Sequence, residues 1–220
     1  MMTRILLFLF IQSSLVASSQ TDVQQSFDSL AICEQVDASS DSLFKNKLIP
    51  STYQYAVKHA LSYFPELDGK HIKFKETKIS TTLNARPTLG SLLFRSKNNR
   101  RYVVRINNTE KDSMVTVNEV PFQAQIGLFG HEFCHFIDYQ ERDLFQVVKR
   151  LFDYTSIKKK ANFEKEIDHM TIERGLGWEL YEWSIFIQAK SDASEKYKAF
   201  KREIYLEPSE IVEIISNKGN

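Results

Sequence analysis

Residues 130–139 read GHEFCHFIDY, and the interpretation of the chain begins with this stretch. It contains two histidines four residues apart, His131 and His135, with Glu132 directly after the first. On an α-helix each residue turns by about 100°, so the two imidazoles lie about 40° apart and one turn from each other. Side chains placed in this way can bind one metal ion together, while Glu132 lies beside that ion as a base for a bound water. The stretch therefore predicts a helix that carries a hydrolytic metal site.

The apolar residues around this motif predict which side of the helix is buried. The helical pattern extends over Gln123–Tyr139, and large apolar residues recur on one face of it: Phe122, Ile126, Phe129, Phe133 and Ile137. With Ile126 at zero, these residues fall within about 60°, whereas His131 and His135 fall at about 140° and 180°. We therefore expect a helix that packs on the core with one face and presents its polar side chains to a cleft with the other.

A third metal ligand is expected elsewhere, because hydrolytic zinc sites bind the ion through three protein side chains and keep one position for water. Candidates lie in residues 163–169, which read FEKEIDH. Glu164 and Asp168 share one face of a helix, so one carboxylate can bind the ion while the other accepts the free ring N–H of a ligand histidine. Spacing alone leaves the third ligand open among Glu164, Glu166 and Asp168.

The two motifs together resemble those of the gluzincin metallopeptidases, in which the H-E-x-x-H helix is followed by a helix that carries E-x-x-x-D. Residues 164–168 read EKEID and fit this second pattern. The resemblance implies a zincin-like fold, Zn²⁺ as the cofactor, Glu164 as the third ligand and Asp168 as the carboxylate that orients a ligand histidine. It also implies that Glu132 is the general base. The strand before the active helix, Arg101–Asn107, would then be the sheet edge to which an extended peptide adds.

The rest of the pattern predicts an α+β fold. An N-terminal amphipathic helix is expected from Ser51, because apolar residues recur there at helical spacing. A small, mainly antiparallel sheet is expected from three strands, the last two joined by a hairpin at Lys97–Asn99: His71–Ser80, Ser91–Ser96 and Arg101–Asn107. A C-terminal helical block is expected after the active-site helix, in the segments Asp143–Tyr154 and Phe163–Ala189. Gly175 would provide either a close helix contact or a break between two helices.

The first 42 residues are expected to lie outside the folded domain. Residues 1–19 combine a basic start at Arg4 with an apolar run and small residues from Ala17, which is typical of a signal peptide. Residues 20–42 are rich in Ser, Gln and Asp and predict a loosely ordered lead, so that residues 43–220 form a single zincin-like domain. The chain would then be secreted or periplasmic, where Cys33 and Cys134 could form a disulfide or remain thiols.

Composition restricts the possible partners. The 29 basic and 28 acidic residues leave a formal net charge of +1, which lacks the excess of Lys and Arg that nucleic-acid binding requires. We therefore expect no nucleic acid, no membrane span after signal cleavage, and a peptide or protein as the substrate. The leading hypothesis is a secreted zinc metallopeptidase. The alternatives are a zinc-binding envelope scaffold without turnover and a zinc amidase that acts on cell-wall peptides.

Overall fold

The structure of the protein is a computed structural model that describes residues 43–109 and 114–218, apart from the Leu151 side chain. The predicted signal peptide, the lead segment and Cys33 lie outside the described residues. The strands are β1 (Lys47–Leu48), β2 (Ile72–Thr77), β3 (Leu83–Pro87) and β4 (Tyr102–Asn107). The helices are α1 (Gln54–Ser62), α2 (Leu89–Phe94), α3 (Phe122–Glu141), α4 (Leu144–Asp153), α5 (Ile157–Glu173), α6 (Gly177–Ile185), α7 (Glu195–Ile204) and α8 (Pro208–Lys218). The predicted α+β class is confirmed.

The sheet is mixed, so the expectation of a mainly antiparallel sheet is wrong. Its strand order is β1-β2-β4-β3, with β2 parallel to both β1 and β4 and only the β3–β4 pair antiparallel. The expected strand Ser91–Ser96 lies mostly in α2, and Lys97–Asn99 forms a 3₁₀ turn instead of a hairpin. The apolar run in α2 does not alternate, since Leu92 is buried whereas Leu93 and Phe94 are exposed. A short apolar run of this kind does not distinguish a strand from a helix.

The predicted apolar face of the helix that carries His131 and His135 is confirmed. Helix α3 packs across the sheet, and the rings of Phe129 and Phe133 lie in the middle of the core with no exposed surface. Phe133 makes an edge contact with Phe64 next to α1 at a centroid distance of 5.6 Å, and Phe129 contacts Phe74 on β2 at 6.4 Å. These contacts fix the rotation of α3 about its axis and therefore the direction in which its histidines point.

The predicted N-terminal helix is also confirmed. Its apolar residues are almost fully buried: Tyr53, Ala56, Val57, Ala60, Leu61 and Phe64. Pro65 then begins a 3₁₀ turn, and Gly69 at φ +64° turns the chain into β2. Helix α1 therefore forms a fixed wall against which α3 packs.

Two glycines determine how the helices pack around α3. The close helix contact expected at Gly175 occurs at Gly127 instead. The close contact involves Gly127 on α3, where a Cβ atom would overlap the Glu179 carbonyl of α6. Gly175 has φ +94° and separates α5 from α6, so the alternative expectation of a helix break is confirmed. A side chain at Gly127 would push α6 away from α3, since two helices approach closely only over small residues.

Candidate metal centre

Three side chains from two helices meet in the interior of the molecule. His131 and His135 project from α3 and Glu164 projects from α5, and one donor atom from each lies within 4.8 Å of both others. All three residues are buried, with relative exposures of 3 to 4%. Residues of α5 and α7 line a cavity on the polar side of α3, so the expected cleft is present as a partly open cavity. This cluster brings together the two histidines and the carboxylate that the motifs predict, and it could hold a metal ion.

The distances from the Glu164 carboxylate to the two imidazoles fit those around a tetrahedral ion. The Glu164 Oε2 atom lies 3.2 Å from the His131 Nε2 atom and 3.4 Å from the His135 Nε2 atom. Donors bound at roughly 2.0–2.2 Å and at tetrahedral angles are about 3.4 Å apart. Two imidazoles and one carboxylate form a donor set that divalent first-row metals accept, zinc among them. The residues present therefore fit the cofactor that the sequence predicts.

Asp168 orients the first histidine. The His131 Nδ1 group donates a hydrogen bond of 2.8 Å to Asp168 Oδ1, which turns the Nε2 atom toward the cluster. Asp168 Oδ2 accepts a 2.9 Å hydrogen bond from the backbone N–H of Leu206, after α7. Burial lowers the pKa of His131, but its hydrogen bonds to Asp168 and Glu164 outweigh burial and raise that pKa to about 10. Asp168 thus links a ligand histidine to the segment that follows α7.

Glu164 is held as an ionised carboxylate. Its Oε1 atom accepts a 3.0 Å hydrogen bond from the Tyr154 hydroxyl, which leaves Oε2 facing the two imidazoles. Burial acts to raise the pKa of Glu164, but the neighbouring imidazoles outweigh burial and hold the pKa well below its usual range. A carboxylate in this state is ready to bind a cation.

His135 is positioned by packing instead of by an acceptor. Its ring lies nearly parallel to that of Tyr139 at a centroid distance of 6.3 Å and meets Phe163 edge-on at 5.3 Å. The Nδ1 atom of His135 is buried and has no hydrogen-bond partner among the described residues. The two ligand histidines therefore differ in how firmly their ring orientation is fixed.

Glu132 lines a cavity of about 220 Å³ together with two of the three cluster residues, His135 and Glu164. Burial raises the pKa of the Glu132 carboxyl, and the charges of the two imidazoles offset this effect only in part. The polar side chains of Thr81 and Asn84 also line the cavity. A water in this cavity would have a carboxylate base and the cluster on its walls.

The other candidates for the third ligand lie elsewhere. Glu166 is exposed on α5 and accepts a 2.6 Å hydrogen bond from Arg150. Asp168 is occupied by His131 and Leu206. Cys134 is a fully buried free thiol to which the Thr171 hydroxyl donates at 3.3 Å, and burial raises its pKa to about 12. Of the three acidic candidates, only Glu164 faces both histidines.

Several cavity residues are not predicted by any sequence motif, among them Tyr205 and Lys201. The Tyr205 ring meets that of His131 edge-on at a centroid distance of 5.4 Å, and both Tyr205 and Lys201 line the cavity with Glu132. Burial and the nearby carboxylates raise the pKa of Tyr205 well above its usual value, so its hydroxyl remains a hydrogen-bond donor. Neither residue belongs to a motif. They lie on α7 and in the loop that follows it, and only the tertiary fold brings them to the cavity.

The strand Tyr102–Asn107 is not a sheet edge, which corrects the expectation for Arg101–Asn107. It pairs with β2 on one side and with β3 on the other. Arg105 donates to the Asn84 side chain at 2.8 Å. The edge strand beside the cavity is β3, whose residues Leu83 to Ala85 line it.

Comparisons with known proteins add no relative to this description. A scan against protein-family models found no match, and searches of the curated proteins and of the solved structures also found none. Within the described part of the chain, no helix combines the length and the apolar character needed to cross a membrane. The assignment of the metal centre therefore rests on the residues themselves.

Proposed function

We propose that this chain is an exported zinc metallopeptidase that hydrolyses peptide bonds. The observation that carries the proposal is that Glu132 lines the same cavity as His135 and Glu164. A metal site that only stabilises a fold is closed by a fourth protein ligand and has no use for a base beside it. The cluster among the described residues has three members, which leaves a position for water. The zincin-like fold and the gluzincin resemblance belong to this proposal.

The residues of the cavity divide the chemistry between them. His131, His135 and Glu164 would hold the zinc ion, which when bound polarises the scissile carbonyl and lowers the pKa of water. Glu132 accepts the proton of the attacking water and passes it to the leaving amine. Burial raises the pKa of Glu132, which helps this carboxyl to hold the proton between the two steps.

We assign Tyr205 as the residue that stabilises the tetrahedral intermediate. Its hydroxyl remains protonated because burial and nearby carboxylates raise its pKa. A fixed donor in the cavity stabilises the negative charge that develops on the carbonyl oxygen. The hydrogen bond from Leu206 to Asp168 fixes the backbone next to Tyr205 and ties this donor to the metal ligands.

The free edge of β3 is the surface on which an extended peptide would bind. This strand is at the edge of the sheet and contributes Leu83, Asn84 and Ala85 to the cavity wall. A peptide can add to such an edge by main-chain hydrogen bonds, which would hold its carbonyl groups in a fixed position relative to the cavity. Asn84 is held by Arg105 from the neighbouring strand, so this part of the edge is firmly supported.

The test compares the mature chain with Glu132→Gln and with the control Glu141→Gln, an exposed residue on the same helix. Zinc content is measured together with hydrolysis of a quenched fluorescent peptide library and of cell-wall peptide fragments. We expect Glu132→Gln to keep its zinc and to lose activity by about 10³-fold, within the usual range for a general base. Glu141→Gln should behave as the unmodified chain.

The other outcomes identify the alternatives. Full activity in Glu132→Gln would show that this carboxylate is not the base. One zinc per chain without cleavage of either substrate would favour the envelope scaffold. Cleavage of the cell-wall fragments alone would favour the amidase.

A further inference from the structure

Two lysines line the cavity together with Glu132 and Glu164, and the mechanism above uses neither of them. Lys160 projects from α5 and Lys201 from α7. Lys201 is only 6% exposed and Lys160 is half-buried. Lysine is rarely buried to this degree unless its charge has a partner. The cavity wall therefore contains ammonium groups whose presence requires an explanation.

No carboxylate of the described residues pairs with either lysine. The lysines that form ion pairs there are Lys165, Lys190 and Lys198. Lys201 donates a hydrogen bond to the Tyr197 hydroxyl and lies over the Tyr205 ring at 4.5 Å, and Lys160 lies over the Phe200 ring at 4.8 Å. Such cation–π contacts stabilise an ammonium group less than a buried carboxylate partner would.

The charges around the cavity leave an excess of positive charge once a divalent ion is bound. The ion balances the carboxylates of Glu132 and Glu164, and Lys160 and Lys201 then add two ammonium charges. Asp168 offsets one of these at most, and its oxygens already accept from His131 and Leu206. An anionic group on the ligand would restore the balance, because an unpaired buried charge costs free energy.

On the basis of the proposed function, we propose that Lys160 and Lys201 form a carboxylate-binding subsite, so that the preferred peptides carry a carboxylate next to the scissile bond. That carboxylate is either the C-terminus of the peptide or the side chain of an Asp or Glu residue. Either carboxylate presents two oxygens to the ammonium groups. The aromatic rings around Lys201 would exclude water from the ion pair that forms. A charge-assisted hydrogen bond formed in such a place is stronger than one at the surface.

The experiment measures binding to the zinc-loaded full chain that carries Glu132→Gln, so that peptides are not cut. The first pair of probes is a library of acetylated tripeptides prepared as free acids and as C-terminal amides. The second pair consists of two C-terminally amidated libraries. One contains Asp and Glu, and the other contains Asn and Gln in their place. The retained peptides are quantified by mass spectrometry. Within this background we compare Lys201→Met, Lys160→Met and the exposed control Lys159→Met.

We expect a carboxylate to improve binding by at least about tenfold in one of the two pairs, as charged hydrogen bonds do. Lys201→Met should abolish this preference, Lys160→Met should reduce it and Lys159→Met should leave it unchanged. Lys160→Met tests the proposal even if Lys201→Met does not fold, since Lys160 is half-buried. Equal binding of acids and amides in both pairs would overturn the subsite, as would a preference that survives Lys160→Met and Lys201→Met.

Failure of the subsite is distinguishable from failure of the proposed function. The binding preference is measured without turnover, so it stands or falls independently of peptide hydrolysis. A chain that cleaves both members of each probe pair equally well would remain a peptidase and would lack this subsite.

Discussion

The cavity has two walls that are built in different ways. On the wall formed by α3, α5 and Tyr154 after α4, polar side chains hold one another, as Asp168 holds His131 and Tyr154 holds Glu164. On the wall formed by α7 and the loop after it, Lys201 and Tyr205 lie against aromatic rings. The first wall is arranged in advance for a cation. On the second, Lys201 forms no ion pair with a carboxylate of the described residues, so a ligand could supply one. We infer that the cluster on the first wall holds the cofactor, whereas Lys201 and Tyr205 of the second wall, together with Lys160 of α5, contact the ligand.

The largest effect should come from removing a group of the first wall, Glu164. Glu164→Ala is expected to abolish stoichiometric zinc binding, because a lost ligand costs more than the roughly 10–100-fold of a lost outer partner. Glu166→Ala is the matched control, since Glu166 is an exposed glutamate on the same helix that pairs with Arg150. Zinc content after dialysis, measured by mass spectrometry, checks this prediction. Full occupancy in Glu164→Ala would move the third ligand elsewhere.

A change on the second wall should affect turnover and leave the metal in place. Tyr205→Phe is expected to lower kcat by about 10²-fold, the usual cost of losing one donor to the oxyanion. KM and zinc content should change little, because Tyr205 does not belong to the metal cluster. Tyr181→Phe is the control, since that ring packs against Trp178. An unchanged kcat in Tyr205→Phe would remove Tyr205 from the mechanism.

A smaller effect on zinc is expected from the residue that supports the first wall. Asp168→Asn should weaken zinc affinity by about 10–100-fold, because His131 loses the carboxylate that fixes its tautomer and ring orientation. Asp138→Asn is the matched comparison, since Asp138 is a buried carboxylate on α3 that accepts from Arg142 and Arg150. That variant should lower the free energy of unfolding and keep its zinc affinity. A zinc affinity that is weakened more by Asp138→Asn than by Asp168→Asn would contradict this assignment.

The smallest effect is a dependence of zinc affinity on pH. The pKa of His131 is raised to about 10, so at neutral pH its Nε2 carries a proton that a cation must displace. Affinity should therefore rise with pH, by about tenfold per unit below that pKa, with the release of about one proton per zinc. Calorimetry in buffers of different ionisation enthalpy measures this proton. An affinity that falls with pH would contradict the raised pKa.

The three residues of the cluster and Asp168 could be predicted because they obey helical spacing. His131 and His135 lie on one face of α3, and Glu164 and Asp168 lie on one face of α5. Periodicity within a helix fixes these pairs before any tertiary contact forms. The choice of Glu164 over Glu166 came from the family resemblance, and the structure agrees with it because Glu166 faces Arg150.

The residues of the second wall could not be predicted, because their place depends on how α7 packs. Lys201 and Tyr205 stand more than 30 residues after Glu164 in the chain and belong to no motif. The strand order of the sheet could not be predicted for a related reason. The partners of Tyr102–Asn107 are set by long-range pairing with β2 and β3. Strand order depends on these pairings, which local alternation does not report.

The most direct test of the account is X-ray absorption at the zinc edge of the zinc-loaded full chain. Coordination by His131, His135 and Glu164 predicts one zinc per chain with two imidazole nitrogens and oxygen donors at about 2.0–2.2 Å. A sulfur donor at about 2.3 Å, or a zinc ion without imidazole, would contradict the account. The same would be true of a chain that binds no zinc.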